Sequence, residues 1–552
     1  MIPMFIDYAS PSALESNRDR ALLGLTANAR RPVRFHGRLR RNVPLFRFAL
    51  RALGEAVWSQ DVWSTEGELK SWVLDPVVTV HPDRLFFEAF SQDQSVYVAL
   101  IANPDMFELE GEMRPGTTNI DFTAWLWGAL NELRSSRETW LRVEAAGFEV
   151  RTHKAGGRFE QKVNLPDSWV RGFLQVTAAM ARPGTRLTAR PVDLLSAIRF
   201  LRYTKAKLSP RALRYEFDPG QDARLVLEPW EQTFRLRGAE HNYTEHRVIR
   251  TWGRRRLSLI EPLLPFAHGV DIYLKGRALP SFYAVKLPDL TFVLGLSGWS
   301  EQAWSGSGNF QLLETSAPLD TALLARVQGE LATKFAVEPG ALAQAWNQPR
   351  AVLWQLCEEL SRQGRAVFDV ERREFRHREL FDTPIDVATL FPPDERLERA
   401  QALTTQQTVH VASTEPQETR KIKKLKTPGG KMTREIVYRD WRVKGTAGDQ
   451  RHVEIVLDDV GRIIFGTCGC AFFQEHLLGK GPCEHMLALF HASAAQRQDL
   501  PTSRAADPAG APPRLPSPAE DDEEDDEHDD EQPDEKKAKI DEDEESREDE
   551  KN

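Results

Sequence analysis

The sequence predicts a multi-domain α+β chain: a mixed α/β N-terminal body, a module of three helices and a hairpin, a C-terminal ββα metal-binding unit and a disordered acidic tail. Three observations predict it. Residues 77–300 alternate between helical periods and β-branched, aromatic-rich runs. Residues 318–381 pass from three helical runs to two strands. Three of the four cysteines lie within 468–483, with His485 two positions on.

At 552 residues the chain has room for several domains, and a hydrophobic content of 41% suffices for real cores. The expected boundaries are an α+β body at 1–200, a strand-rich domain at 201–316, the helical module at 317–385, a linker with a basic run at 386–430, the metal-binding unit at 431–497 and the tail at 498–552. No run of eighteen apolar residues appears, so no membrane span is expected. The start, "MIPMFIDYASPSALESNRDR", lacks a basic stretch followed by an apolar one, so no secretory signal is expected. Clustered thiols in a cysteine-poor chain fit a reducing compartment, and the expected location is cytoplasmic.

The net charge of −9 averages two objects. Residues 520–552 hold 21 of the 82 Asp/Glu and five of the 73 Lys/Arg, a net of −16. The remainder, with 68 basic and 61 acidic residues, is +7. An acidic tail without aromatics cannot bury enough apolar surface to fold. It either solubilises the chain or competes with nucleic acid for the basic body.

In the body, eight arginines and no acid lie between Ala21 and Gly54, interleaved with Phe35, Phe46 and Phe48. This composition suits a nucleic-acid surface. It suits equally a helix whose guanidinium groups pair with acids elsewhere, which is the favoured reading. "DPVVTVHPDRLFFEAF" and "QSVYVALIA" read as strands. "DFTAWLWGALNELRSS" reads as a helix entered at Asp121, with Phe122, Leu126 and Leu130 at i+4 spacing. Residues 222–300 are dominated by short strands.

In the next module, "PRAVLWQLCEELSRQG" places Val352, Leu353, Leu356, Cys357 and Leu360 on one helical face, so Cys357 is expected in the core. Three helices and then a hairpin is the order of a winged helix, whose third helix often reads the DNA major groove. Here that helix carries Glu358 and Glu359 beside Arg350 and Arg362, poor company for phosphates. Protein contact fits it as well.

From Arg420 to Lys444 there are ten basic residues and two acidic. The candidate nucleic-acid contacts are Lys421, Lys423, Lys424, Lys426, Lys431, Arg434, Arg439, Arg442 and Lys444, with Trp441 and Tyr438 for stacking. A solvated lysine-rich face is the competing reading. "TREIVYRDWRV", "RHVEIVLDD" and "RIIFGT" then read as strands that deliver the chain to the first cysteine.

Cys468, Cys470, Cys483 and His485 form C-x-C-x12-C-x-H. Structural zinc takes four such donors in a tetrahedron. Gly469 offers the bend that brings two thiolates at i and i+2 together. Gly481-Pro482 starts a helix whose apolar content continues through Met486, Leu487, Leu489 and Phe490. His476 and His491 are the alternative candidates for a ligand position.

The order C-x-C-x(n)-C-x-H, after a hairpin and before an apolar helix, resembles the SWIM-type zinc finger over about residues 431–493. The resemblance implies one structural Zn2+ and a role in binding DNA or protein. SWIM fingers occur in bacterial helicase-like ATPases of the SNF2 type, plant Mutator-type transposases and eukaryotic ubiquitin-pathway proteins. Some bacterial ones work beside MoxR-type ATPases, which implies an ATPase partner.

No catalytic pattern stands, so the chain is not expected to be an enzyme. "TPGGKMT" lacks the Ser/Thr and first glycine of a P-loop. "GLSGW" falls short of G-x-S-x-G and "QEHLLG" of H-E-x-x-H. The function expected is a zinc-finger binding module for nucleic acid or protein. The alternative is an adaptor for an ATPase complex that touches no nucleic acid.

Overall fold

The computed structural model describes residues 5–6, 8–58, 75–91, 94–145, 163–164, 167–205, 211–276, 280–297, 320–381, 395–427, 430–457, 463–478 and 481–493. The acidic tail lies outside the described residues. Among them no helix is long and apolar enough to cross a membrane.

An eight-stranded antiparallel sheet organises the body. Its order is Thr185–Ala189, Gly269–Leu274, Ser281–Leu287, Leu290–Leu296, Val96–Ala102, Leu85–Phe90, Val77–Val80 and Gly116–Asn119. Val96–Ala102 and Leu290–Leu296 are buried at every position, which requires cover on both faces. Successive strand residues face opposite sides, so Phe87 and Phe90, three apart, do too. Phe46, on helix Val43–Trp58, meets Phe87 at 6.3 Å. Phe173, on helix Asp167–Ala181, meets Phe90 at 4.8 Å. One helix therefore covers each face. A five-stranded and a four-stranded sheet flank this layer, and one buried apolar cluster runs from Tyr8 to Phe381.

The early arginines bond within this fold. Arg38 donates to Glu138 at 2.7 Å and to Glu108 at 3.0 Å, Arg41 to Asp289 at 2.9 Å and Arg47 to the Leu133 carbonyl at 3.1 Å. The helix expected from Asp121 is shorter than the pattern suggested. It spans Ala124–Ala129 and is capped by Thr123, while Asp121 accepts from the Ser12 amide at 2.9 Å.

Helices Thr321–Lys334, Pro339–Trp346 and Arg350–Arg362 precede strands Ala366–Asp369 and Glu374–His377. A two-residue strand, Ala336–Val337, sits between the first two helices and pairs with the last strand. The third helix buries Leu353, Leu356, Cys357 and Leu360. Burial pushes the Cys357 thiol up to about 12, consistent with an inert core residue. This helix packs against Asp167–Ala181 of the body. Further ties include Arg376 to Asp83 at 2.8 and 2.9 Å, and Tyr273 Oη to the Val370 carbonyl at 2.8 Å.

Residues 386–430, expected as a linker with a basic run, hold helix Glu395–Thr405 and the 19-residue strand Val409–Thr427. That strand pairs along its length with Gly430–Ala447, and Arg451–Leu457 and Ile463–Cys468 complete a four-stranded antiparallel sheet. Pro416 argues against a strand only where its missing N–H is needed. Val409–Thr427 is the sheet edge, so Pro416 fits there.

Candidate metal centre

The site grows from the last strand of this sheet. Cys468 ends Ile463–Cys468, opposite Val453. Cys470 caps the short helix Ala471–His476, its Sγ accepting from the Phe473 amide at 3.4 Å. Cys483 stands at the N-cap position of helix Glu484–Ala492 without a side-chain capping bond, and His485 lies in that helix's first turn. Both helix starts carry partial positive charge, which favours thiolate over thiol.

The expected bend at Gly469 takes a different form. Gly469 has no positive φ, and a Cβ there would meet nothing within 4 Å. Positive φ falls instead at Leu477, 49°, and at Gly481, 84°, the latter just before Pro482. The finger helix lies so close to the sheet that a Cβ on Gly445 would fall 2.6 Å from Leu489 Cδ1 and 2.2 Å from the His410 carbonyl oxygen. A second, separate core results, with Val443, Val453, Ile455, Met486 and Leu489 beside the three cysteines.

The ligand atoms of Cys468, Cys470, Cys483 and His485 all lie within 4.8 Å of one another. Tetrahedral zinc at about 2.3 Å from sulfur needs sulfur separations of about 3.8 Å. All three cysteines are buried. His485 Nδ1 is buried without a hydrogen-bond partner, whereas its Cδ2–Nε2 edge faces Gly448. His485 Nδ1 lies 3.6 Å from the Glu484 carboxylate, and three buried thiols with one imidazole are a donor set that zinc takes. His476 and His491 are not in the cluster: their rings lie against Phe472 at 4.9 Å and Phe490 at 5.6 Å.

Without metal the thiols oppose one another. The Cys483 proton, held on Cys468, together with burial, pushes the Cys483 thiol up to about 12. The same hydrogen bond lowers Cys468, while burial raises Cys470. A bound dication removes the conflict by holding all three as thiolates. Cys483 and Cys470 keep their protons at neutral pH in the metal-free site, so metal uptake must expel them. Calorimetry of metal uptake in buffers of different ionisation enthalpy is therefore expected to show release of about two protons or more. The sign follows for acid: protons compete for the same thiolates, so metal is lost as pH falls. Uptake without proton release would contradict the thiolate site.

Sequence reasoning missed Arg396. It stands on helix Glu395–Thr405, which packs against the finger helix. Its Nη1 donates to the Pro482 carbonyl at 3.3 Å, and its guanidinium lies 5.1 Å from the Phe472 ring centre, bracing both halves of the knuckle. The only signal was a helical run in a segment read as linker.

The candidate nucleic-acid residues divide. Trp441 packs against the finger core, and Arg442 Nε lies 3.0 Å from Glu454. Lys444 is exposed beside them. Lys421, Lys423, Lys424 and Lys426 stand on one long strand, and Lys431, Arg434 and Arg439 on its partner. The side chains of these seven lie outside the described residues.

The family described as SWIM zinc finger matches residues 452–494. That segment is a SWIM zinc finger. Its Cys3His set takes a zinc ion, which Cys468, Cys470, Cys483 and His485 would hold as its four protein donors. No curated protein matches the chain. Among solved structures, proliferating cellular nuclear antigen from Entamoeba histolytica is 14% identical, at a TM-score of 0.31 over 48% of this chain and 97% of its own. PCNA from Thermococcus kodakaraensis is 14% identical, at 0.30 over 48% and 98%. A. fulgidus PCNA, in a structure with the C-terminal region of FEN-1, is 12% identical, at 0.31 over 49% and 99%.

Proposed function

We propose that the protein is a non-catalytic, cytosolic nucleic-acid-binding module, in which the zinc-locked finger anchors a basic two-stranded arm. One observation carries this reading. Residues 421–434 hold six cations and no acid, and they lie where the two long strands continue beyond the third strand of the sheet. Each phosphate neutralised releases counterions, so affinity should fall linearly on a log–log salt plot, with a slope of about −0.9 per contact on duplex DNA. Titration of random duplex and single-stranded DNA at two salt concentrations is expected to show that fall. Removing residues 505–552, with their acidic run, is expected to raise the affinity. Absence of binding at low salt would sink the reading.

A second reading, the protein adaptor with an ATPase partner, is favoured by the helical module. Its helix–strand–helix–helix–strand–strand order supports a winged-helix-like unit. Its third helix is packed on the body, and its acids are engaged: Glu358 accepts from Trp354 Nε1 at 3.0 Å, and Glu359 pairs with Arg362 at 2.7 Å. That arrangement suits protein contact better than groove reading.

A further inference from the structure

The arm has a shape as well as a charge. Arg451–Leu457 pairs only with Trp441–Ala447. Among the described residues, Gly430–Asp440 therefore has Gln417–Thr427 as its sole strand neighbour, eleven residues against eleven. At about 3.4 Å per residue this ribbon is about 37 Å long, roughly one turn of duplex DNA. Two-stranded ribbons carry the strongest twist of any sheet. They are also only marginally stable alone in water. Ile422, 75% exposed, shows apolar surface left without cover.

The register separates two faces. Directly paired residues share a face, and the faces alternate along each strand. Lys421 pairs with Ile436, Lys423 with Arg434 and Thr419 with Tyr438, so these share one face, and over Thr419–Thr427 and Gly430–Tyr438 that face holds no acid. The opposite face holds Glu418 and Glu435, each an ion-pair partner of Arg420, at 2.6 and 3.9 Å, while the arm's third acid, Asp440, lies buried at the base of the first face, opposite Gln417. An acid-free face of cations interleaved with apolar residues suits a polyanion that also presents apolar edges.

We propose that this ribbon lies in a groove of B-form duplex DNA, with the Lys421–Lys423–Arg434 face against the duplex, independent of base sequence. The B-form major groove, about 12 Å wide, admits a two-stranded ribbon. The major groove of duplex RNA is too deep and narrow for one. The inference rests on the nucleic-acid reading above and assigns its ligand and its contacting face.

The test uses the full chain against a duplex DNA, a duplex RNA of matching sequence and the single DNA strand, each across a salt series. Lys421→Gln, Lys423→Gln and Arg434→Gln together are expected to lower the salt slope on duplex DNA by about 2.7 and the affinity at least tenfold. Lys424→Gln, Lys426→Gln and Arg439→Gln remove the same charge from the other face and are expected to cost much less. Unchanged zinc content and circular dichroism show that both variants keep the fold. Equal losses from the two faces, no loss from either, or equal or tighter binding to duplex RNA or to the single strand would each overturn the proposal while leaving nucleic-acid binding in place. Failure of the wild-type chain to bind any of the three probes would instead remove the reading on which it rests. Capture only of acidic proteins, with no nucleic acid bound, counts against both.

Discussion

Cys483→Ala is expected to expel zinc and unfold residues 395–493 while the body stays folded. Cys483 is fully buried and joins the finger helix to the knuckle. Apparent zinc-binding energies in structural fingers are about 10–16 kcal/mol near neutral pH, and binding there is also folding. The apolar core beside the site is small, and units of this size are marginal without a staple. The loss should therefore exceed what the core supplies. The effect should stay local, because the finger core and the body core share no residue. Zinc measurement with limited proteolysis checks this: the variant should lose about one equivalent of metal and be cut first within 395–493. Resistance equal to wild type after metal loss would refute it. Gly469→Ala serves as the contrast, since nothing stands where its Cβ would go and no left-handed backbone is required; it should keep both metal and fold.

What was legible in the sequence was local. The four zinc donors lie within eighteen positions, and their order needs no long-range pairing to be read. The three helices of residues 320–362 announce themselves by their apolar period, and Leu353, Leu356 and Leu360 are indeed buried. What was hidden was pairing at a distance. The strand Val409–Thr427 is polar, lysine-rich and interrupted by Pro416, so neither propensity nor alternation marks it. It exists because Gly430–Ala447 offers a complementary edge. Arg396 could not be placed beside Phe472 and Pro482 until its helix was seen to pack on the finger. Positive φ was sought at Gly469, the obvious glycine, and lies at Leu477 and Gly481, between the second and third cysteines, rather than at the Cys-Gly-Cys corner.

The same limit hid the contact that ties the helical module to the body. Arg378 is fully buried; its Nη1 donates to Glu88 Oε1 at 2.7 Å and its Nη2 to Thr177 Oγ1 at 3.0 Å. Tyr97 Oη donates to the same Glu88 oxygen at 2.8 Å, so one carboxylate is shared by two donors from different elements. Arg378→Ala removes the cation and leaves Glu88 buried in the sheet with the tyrosine alone. Breaking a buried pair from one side costs about 3–5 kcal/mol, because the remaining charge is uncompensated. The midpoint of urea unfolding should fall accordingly. Adding Glu88→Gln should restore much of the loss, since the double variant buries no lone charge. The pattern separates a docked module from a hinged one. If residues 320–381 moved freely against the body, Glu88 would already be open to water, and Arg378→Ala would shift the midpoint little, with or without Glu88→Gln.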